Sequence, residues 1–226
     1  MSSPLKIITT EDGSHSLYNA ELNETYHSFH GAIQESKHVF IKSGLEFINQ
    51  SQPETIRVFE VGFGTGLNAL LTAELAFEKK VKVEMTSIEA YPISKELIEN
   101  LNYSERINNP NANAWFNAIH NCEWGSAELI NDHFTLVKIH DKLENYSITQ
   151  NSYDVIYFDA FAPNKQEEMW SIELLQNVAN GMALNGCLVT YCAQGQLKRN
   201  LKSLGLEVET LPGPPGKKEM VRAILK

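Results

Sequence analysis

A glycine-rich stretch between Glu60 and Ala69 carries the strongest chemical signal in this 226-residue sequence. It reads E-V-G-F-G-T-G-L-N-A and lies between a run of β-forming residues and a helical pattern. Glycines at such a strand-to-helix junction let the backbone approach a ligand and leave the amides of the helix N-terminus available. The stretch therefore predicts a site for a nucleotide-like ligand, with Gly62, Gly64 and Gly66 in the turn.

Two cofactors are compatible with this glycine turn. Residues 64–69 satisfy the G-x-G-x-x-A form of the dinucleotide fingerprint, so an NAD(P)-dependent oxidoreductase is one interpretation. The acidic residue two positions before the first of three alternating glycines resembles instead the first motif of S-adenosylmethionine (SAM) methyltransferases. SAM has no pyrophosphate, and the Glu60 carboxylate would attract its ammonium and sulfonium groups. This comparison favours SAM and leaves NAD(P) as the alternative.

Two further acidic residues follow predicted strands at positions that suit an adenosine cofactor. Glu89 ends the second predicted strand, about twenty residues after the turn, where an acidic side chain accepts hydrogen bonds from both ribose hydroxyls. Asp141 follows the third predicted strand, and the carboxyl edge of the sheet would bring it near the adenine amino group. We expect both carboxylates to bind the cofactor.

The residues after the fourth predicted strand supply the candidate catalytic group. Asp159 directly follows the apolar run 153–158, and in open α/β sheets the active site lies in the crevice at this edge. A carboxylate there can orient a nucleophilic amine and accept its proton as the nitrogen attacks a sulfonium methyl group. Phe161 could form a stacking wall for a planar base. We therefore predict that Asp159 and Phe161 are catalytic, with Asp159 also touching the cofactor.

An alternation of strand and helix patterns must position these residues. The predicted strands are 57–61, 83–88, 134–139, 153–158 and 187–191, and the predicted helices are 67–78, 94–100, 113–122, 166–182 and 196–204. This alternation predicts a doubly wound, mostly parallel α/β sheet with helices on both faces. Segments 206–211 and 220–225 are joined by a loop too short for a crossover helix, which predicts an antiparallel C-terminal hairpin. By analogy, this is the Rossmann-like arrangement of class I SAM methyltransferases.

Four stretches resemble one enzyme family. Residues 158–170, F-D-A-F-A-P-N-K-Q-E-E-M-W, are similar to the D-G/A-F-A-P-x-K-x-P-x-M-W stretch of bacterial tRNA 5-aminomethyl-2-thiouridine methyltransferases. These are the MnmD enzymes and the N-terminal half of the bifunctional MnmC enzymes. Residues 61–68 resemble the first motif of that family, in which phenylalanine and asparagine are unusual among methyltransferases. The remaining likeness lies in the N-terminal stretches 26–28 and 35–40 and in the tail 215–220.

The resemblance implies methyl transfer from SAM to the aminomethyl nitrogen of a wobble uridine in tRNA, giving 5-methylaminomethyl-2-thiouridine. It also implies that Tyr26, Phe63 and Asn68 contribute to the cofactor site. An N-terminal extension, residues 1–50, would pack over that site, and residues 51–226 would form the methyltransferase domain. No sequence remains for the FAD-dependent oxidase half of the bifunctional enzymes. We therefore expect the one-domain form, with a separate oxidase or aminomethyl-forming enzyme acting upstream.

The net charge of −9 disfavours nonspecific adhesion to nucleic acid over the whole surface, so contact with tRNA must be local. A basic C-terminal cluster could face phosphates, with ordinary solvated lysines as the alternative interpretation. The cluster consists of Lys198, Arg199, Lys202, Lys217, Lys218 and Arg222. Within it we expect Lys217 and Lys218, together with Lys165 near Asp159, to bind the substrate.

Several classes of protein are disfavoured. No stretch approaches eighteen apolar residues and residues 1–10 lack a hydrophobic core, so we expect neither a membrane span nor export, and the compartment is the cytoplasm. Cys187 and Cys192 are five positions apart, at the start and just past the end of the predicted strand 187–191. If the strand continues through Cys192, they should face opposite sides, which disfavours a disulfide or a metal site. A methyltransferase for a small-molecule amine and an inactive fold retained for partner binding remain as alternatives.

Overall fold

The computed structural model describes residues 5–226 and contains two β-sheets with helices packed against them. The strands are β1 (Leu5–Thr9), β2 (His15–Asn19), β3 (Glu24–Thr25), β4 (Thr55–Val61), β5 (Lys82–Glu89), β6 (Ala127–Asn131), β7 (Phe134–His140), β8 (Tyr153–Phe158), β9 (Met182–Thr190), β10 (Leu206–Pro212) and β11 (Glu219–Leu225). The α-helices are α1 (Ala32–Ser36), α2 (Glu46–Asn49), α3 (Leu67–Lys79), α4 (Lys95–Glu99), α5 (Tyr103–Arg106), α6 (Ala112–Asn121), α7 (Ile172–Gly181) and α8 (Gly195–Ser203). A π-helical segment covers Lys37–Leu45, and 3₁₀ turns cover Leu143–Asn145 and Glu167–Trp170.

The larger sheet has the strand order β10-β11-β9-β8-β4-β5-β7-β6. Strands β9, β8, β4, β5 and β7 are mutually parallel, whereas β11 pairs antiparallel with both β9 and β10. The predicted doubly wound sheet with an antiparallel C-terminal hairpin is confirmed. Strand β4 lies between β5 and β8. The chain continues from β4 to β5 on one side and later returns to β8 on the other side, and ligand sites form at such a switch point.

The central strands are buried on both faces, which explains their nearly continuous apolar sequences. In β8, Val155 and Tyr157 pack into the core on one side of the sheet, and Ile156 and Phe158 pack into the core on the other side. All four side chains are fully buried, and burial of each such side chain contributes roughly 1.5–3 kcal/mol. Packing on both faces of the sheet therefore fixes the end of β8, which Asp159 directly follows.

The described part of the N-terminal segment forms a small sheet followed by a continuous helical stretch. Strands β1, β2 and β3 pair antiparallel, and α1, the π-helical segment and α2 then follow without a break. Phe40 and Leu45 belong to the core on one face of the larger sheet. A Cβ atom on Gly44 would lie 2.9 Å from the Val189 side chain, so this helix packs directly on β9. Residues 1–4 of the predicted extension lie outside the described residues.

The segment 166–182 and strand β6 are among the elements that differ from the sequence-based expectation. The prediction of one helix over 166–182 is wrong, because Ser171 adopts an extended conformation between the 3₁₀ turn and α7. The Ser171 side chain accepts a hydrogen bond from the Leu174 N–H at 3.3 Å, which caps α7. Strand β6 was not predicted; three of its five residues are exposed, so it lacks the apolar run of a buried strand.

Cys187 and Cys192 pack in different core clusters on opposite sides of the larger sheet, as predicted, although β9 ends at Thr190 and only Cys187 lies in it. Both are unpaired, as is Cys122. Within residues 5–226 no group of three or more histidine, cysteine or acidic side chains is arranged to hold a metal ion. In the same part of the chain, no helix has the length and apolar character needed to cross a bilayer.

Candidate active site

A cavity of about 700 Å³ opens at the carboxyl ends of β4, β5 and β8. Its lining includes Gly62 after β4, Glu89 at the end of β5 and Asp159 after β8. Its position is that of ligand sites in open α/β sheets, and its size suits a small molecule or cofactor. The cavity therefore brings together groups that are far apart in the sequence; Gly62 and Asp159 alone are 97 positions apart.

The glycine turn after β4 is shaped by left-handed backbone conformations. Gly62, Gly64 and Gly66 have φ values of 90°, 50° and 72°. A Cβ atom on Gly62 would lie 2.6 Å from the main-chain oxygen of Asp159, so no side chain fits there. The turn thus packs directly against the end of β8, and this contact sets the position of Asp159 relative to the turn.

Phe63 and Gly66 pack the glycine turn against His120 and neighbouring side chains. Phe63 lines the cavity but is only 5% exposed, and its ring packs edge-on against His120 and Trp124 at 5.6 and 5.9 Å between centroids. A Cβ atom on Gly66 would lie 2.8 Å from His120 Nε2, and Gly66 does not line the cavity. The structure therefore gives these two residues packing contacts that hold the turn in place.

Glu60 lies outside the cavity lining, which differs from its predicted contact with a cofactor ammonium group. It is fully buried and does not line the cavity. The Ser87 hydroxyl on β5 donates a hydrogen bond to Glu60 Oε2. Burial raises the pKa of Glu60 to about 8, although hydrogen bonds from Ser87 and Asn68 oppose the rise. Glu60 therefore lies beneath the turn as a largely protonated acid, and direct contact with a cofactor finds no support in this arrangement.

Replacement of Glu60 by glutamine is expected to flatten the pH dependence of folding stability. The folded protein holds the Glu60 proton up to about pH 8, whereas an unperturbed glutamate, of pKa 4.5, loses it. The free energy of unfolding of the wild type should therefore fall as pH rises between these values, by roughly 1 kcal/mol per pH unit from this group. Glutamine keeps an acceptor for Ser87 and does not titrate. Urea unfolding at pH 6 and pH 8 measures the effect; equal pH dependence in both proteins would contradict a protonated Glu60.

Glu89 and Asp141 both line the cavity, as expected for cofactor ligands. Glu89 accepts hydrogen bonds from the main-chain N–H groups of Gly64, at 2.9 Å, and Tyr91, at 2.8 Å. Asp141 Oδ1 accepts hydrogen bonds from the Lys142 N–H at 2.7 Å and from the Asn145 side chain at 3.2 Å. Because a carboxylate can accept about four hydrogen bonds, each side chain keeps acceptor capacity for a ligand.

Asp159 is held from two directions at the floor of the cavity. Its main-chain N–H donates a hydrogen bond to the Val61 carbonyl at 3.0 Å, and its Oδ2 accepts one from Asn68 Nδ2 at 2.9 Å. Burial raises the pKa of Asp159 to about 7; Glu35 raises it further, while Asn68 and Lys217 oppose the rise. A carboxylate with this pKa can accept a proton from an amine near neutral pH.

Three aromatic side chains line the cavity next to Asp159. Tyr26 and Phe161 meet edge to face with ring centroids 5.1 Å apart. Tyr191, which follows β9, donates a hydrogen bond from its hydroxyl to the Ala160 carbonyl at 2.8 Å. Tyr191 was not predicted as a site residue, although it follows a parallel strand just as Asp159 does. Flat rings beside a carboxylate suit a planar base that carries an amine.

Lys217 connects the C-terminal hairpin to the N-terminal segment. Its Nζ lies 2.5 Å from Glu35 Oε1 and 3.7 Å from the centroid of the Tyr191 ring. Glu35 is only 5% exposed, and its other carboxylate oxygen accepts a hydrogen bond from the Ser28 N–H at 2.6 Å. Lys217 is therefore partly buried and ion-paired with Glu35, with its ammonium group against a ring that lines the cavity, whereas Lys165 lines the cavity itself. Sequence analysis did not single out Glu35, because nothing local indicates its long-range partner.

The other basic residues of the predicted cluster fall into two groups. Arg222 pairs with Glu209 at 2.6 Å, and Lys198 pairs with Glu219 at 2.9 Å. The remaining members are exposed on α8 and on the hairpin loop: Arg199, Lys202 and Lys218. The net positive charge of the cluster is therefore concentrated in these three side chains.

The groups that line the cavity fit an adenosine cofactor such as SAM. Gly62 and Gly64 present main chain without side chains, so a ligand can approach the turn closely. Glu89 and Asp141 offer acceptors for hydroxyl and amino groups, and the carboxylate of Asp159 suits a cationic neighbour. This chemistry matches the hydrogen-bond donors and the positive charge of SAM.

Comparison with known proteins agrees with this chemistry. A family model described as S-adenosyl-L-methionine-dependent methyltransferase matches residues 102–226, more than half of the chain. The tRNA 5-methylaminomethyl-2-thiouridine biosynthesis bifunctional protein MnmC of Burkholderia multivorans is 28% identical over 232 residues, which cover 96% of this chain and 34% of that protein. Its counterpart in Pseudoalteromonas atlantica is 31% identical over 219 residues, which cover 88% and 30%. The chain thus spans about a third of the length of these relatives.

Among solved structures, MNMC2 from Aquifex aeolicus is similar over the whole chain. The TM-score is 0.82 at 24% sequence identity, and the match covers 100% of this chain and 71% of the other. This likeness shows a shared fold. The family match settles the choice between the two cofactors considered for the glycine turn in favour of SAM.

Proposed function

Because the chain belongs to the S-adenosyl-L-methionine-dependent methyltransferase family, we propose that it methylates the aminomethyl nitrogen of wobble 5-aminomethyl-2-thiouridine in tRNA. The product is 5-methylaminomethyl-2-thiouridine. The names of the MnmC relatives support this substrate, as does the similarity of residues 158–170 to the family motif. The observation that carries the proposal is Asp159, buried beside the glycine turn in a cavity walled by aromatic rings.

We assign cofactor binding to the turn at Gly62 and Gly64 and to the carboxylates of Glu89 and Asp141. When bound, SAM supplies an electrophilic methyl group on its sulfonium. Glu89 serves the ribose hydroxyls and Asp141 the adenine amino group, in keeping with their places at the ends of β5 and β7. The turn leaves the N-terminus of α3 facing the cavity, where Leu67 and Asn68 contribute to the lining.

We assign to Asp159 the orientation and deprotonation of the substrate amine. An alkylammonium group has no lone pair, so it must lose a proton before its nitrogen can attack. Asn68 hydrogen-bonds to Oδ2 of Asp159, which leaves Oδ1 for the amine. With a pKa of about 7, Asp159 is largely ionised above neutral pH and accepts the proton there. The rate should accordingly rise with pH until both the carboxylate and the free amine predominate.

We assign the aromatic residues to the base. Tyr26, Phe161 and Tyr191 line the cavity beside Asp159, and aromatic rings stack on an unpaired nucleobase with a gain of roughly 1–3 kcal/mol per base. Tyr26 belongs to the N-terminal segment, and we propose that the part of this segment that lines the cavity, within residues 5–27, acts as a cover over the cofactor and the base. A uridine turned out of the anticodon loop fits this arrangement, because a base inside a duplex is not accessible.

We assign docking of the tRNA backbone to the exposed members of the basic cluster. Arg199 and Lys202 lie on α8, which begins at the same edge of the sheet as the cavity, and Lys218 lies in the hairpin loop beside Lys217. These cations can contact phosphates while the rest of the surface stays negative. The reaction then takes place in the cytoplasm on tRNA that a separate enzyme has supplied with a free aminomethyl group.

Reversal of these three charges, Arg199→Glu with Lys202→Glu and Lys218→Glu, is expected to weaken tRNA binding and its salt dependence. Each lost phosphate contact lowers the slope of log K against log salt by about 0.9. Fluorescence anisotropy with labelled tRNA between 50 and 200 mM salt, about the range over which phosphate contacts are screened, measures this slope. Lys79→Glu is the control, because Lys79 is exposed at the opposite end of α3. Equal slopes in the triple variant and the wild type would exclude this cluster as the docking surface.

The proposed reaction is tested by methyl transfer to defined acceptors. The chain is incubated with methyl-labelled SAM and with tRNA that carries the free aminomethyl group, fully modified tRNA, or a small aminomethyl compound. We expect label only in the first tRNA, on its wobble nucleoside after digestion. Label in the small amine at a comparable rate, with none in tRNA, would replace the proposal by a small-molecule methyltransferase.

A further inference from the structure

Asn68 connects the glycine turn to the candidate catalytic carboxylate. It is the second residue of α3, directly after the turn, and is only 4% exposed. Its Nδ2 donates the hydrogen bond of 2.9 Å to Asp159 Oδ2. The helix that follows β4 thus reaches across to the end of β8 through one side chain.

A second carboxyl group lies on the inner side of Asn68. Glu60 is fully buried, and hydrogen bonding from Asn68 is among the effects that limit the rise of its pKa. Glu60 Oε1 and Asn68 Oδ1 are both buried without a hydrogen-bond partner in the described part of the chain. The Asn68 amide therefore lies between a carboxyl group in the core and a carboxylate at the cavity, and its nitrogen has two N–H groups to offer.

The charges that face Asp159 from other elements oppose one another. Glu35 on α1 raises the pKa of Asp159, whereas Lys217 on the hairpin loop lowers it, and these two side chains form an ion pair. The negative charge of Asp159 in turn helps to raise the pKa of Tyr191, which follows β9, and the pKa of Glu60, beneath the turn. Glu35 and Lys217 therefore shift the pKa of Asp159 in opposite directions. The group that donates a hydrogen bond directly to the Asp159 side chain is the uncharged amide of Asn68.

We propose that Asn68 is a positioning residue for methyl transfer: its side-chain amide holds Asp159 Oδ2, so that Oδ1 of the same carboxylate faces the substrate amine. This inference rests on the proposed role of Asp159. It revises the expectation that Asn68 binds the cofactor directly. A leucine of similar size would leave the Asp159 carboxylate without its hydrogen-bond donor. An aspartate would add a negative charge to those of Asp159 and Glu35.

The proposal is tested by titrating Asp159 in Asn68→Leu without any ligand. The protein is labelled with carboxyl-¹³C aspartate, and the Asp159 signal is assigned by its absence in Asp159→Asn. A hydrogen bond to a charged group is worth about 1.5–3 kcal/mol, so its loss should raise the pKa of Asp159 by about one to two units. Thr72→Val is the control, because Thr72 lies one turn later on α3 and hydrogen-bonds to Tyr157 instead. Its Asp159 should titrate as in the wild type.

Calorimetry with S-adenosylhomocysteine supplies the second readout and separates positioning from cofactor binding. We expect Asn68→Leu to bind this product nearly as the wild type does, with its loss confined to the rate of methyl transfer. An unchanged pKa of Asp159, or an affinity loss beyond tenfold as for a direct cofactor ligand, would overturn the proposal. If Asn68→Leu does not fold, Asn68→Ala, which also has no side-chain donor, is titrated in its place. Failure of the tRNA assay leaves both readouts intact, so the two proposals can fail separately.

Discussion

Replacement of Asp159 by asparagine is expected to lower the rate of methyl transfer by roughly 10²- to 10⁴-fold, the contribution typical of a positioned base. Asparagine keeps the shape of the side chain and can still accept the hydrogen bond from Asn68, but it cannot take a proton from the substrate amine. Binding of S-adenosylhomocysteine should be nearly unchanged, because the cofactor contacts assigned to Glu89 and Asp141 remain. Single-turnover methylation at saturating tRNA and SAM measures the effect on chemistry alone.

The pH profile gives the Asp159 substitution a second signature. In the wild type the rate should fall below about pH 7 as Asp159 becomes protonated, whereas the variant should show only the dependence due to the substrate amine. Asp154→Asn is the control, since Asp154 lies near the start of β8 and bonds to the Arg57 N–H far from the cavity. Normal turnover by Asp159→Asn would remove the proposed role of this carboxylate.

Replacement of Glu89 by alanine is expected to weaken SAM binding by about tenfold to more than a hundredfold. Each hydrogen bond between its carboxylate and a ribose hydroxyl is worth about 1.5–3 kcal/mol. The same change removes the acceptor for the Gly64 N–H, which loosens the turn. Glu89→Gln keeps one acceptor and should lose less affinity. Isothermal titration with S-adenosylhomocysteine measures both variants.

The control for Glu89 is Glu84→Ala. Glu84 lies on β5 five positions earlier and is exposed, so its removal changes the net charge equally without touching the cavity. An affinity for Glu89→Ala within twofold of that for Glu84→Ala would contradict ribose binding by Glu89, since even one lost charged hydrogen bond costs about tenfold.

The elements that position the site could be predicted because they carry strong local signals. The apolar run of β8 is buried on both faces of the sheet, and a strand buried in this way has a nearly continuous apolar sequence. The loop after β10 is too short for a crossover helix, so the antiparallel hairpin followed from chain length alone. By contrast, the division of the predicted helix 166–182 depends on one capping hydroxyl, that of Ser171. The apolar periodicity of the residues on either side of Ser171 is that of a continuous helix and does not indicate the break.

Some site residues could be predicted from local signals and others could not. The position after a strand placed Glu89, Asp141 and Asp159 in the cavity, because the carboxyl edge of a parallel sheet is a property of topology. The orientation of Glu60 could not be predicted, since it depends on Ser87 of the neighbouring strand. The pairing of Glu35 with Lys217 joins positions 182 residues apart, and such contacts leave no trace in local spacing.

A crystal structure of the chain with S-adenosylhomocysteine bound would show whether the cofactor lies between Glu89 and Asp159. An attacking nitrogen lies about 3–3.5 Å from the reacting carbon and about 3 Å from the carboxylate that orients it. We expect the adenosine hydroxyls at Glu89 and the sulfur on the Asp159 side of the cavity, with room for one methyl group and one amine between the sulfur and Asp159. A sulfur atom on the far side of the cavity, or product bound elsewhere, would contradict this expectation.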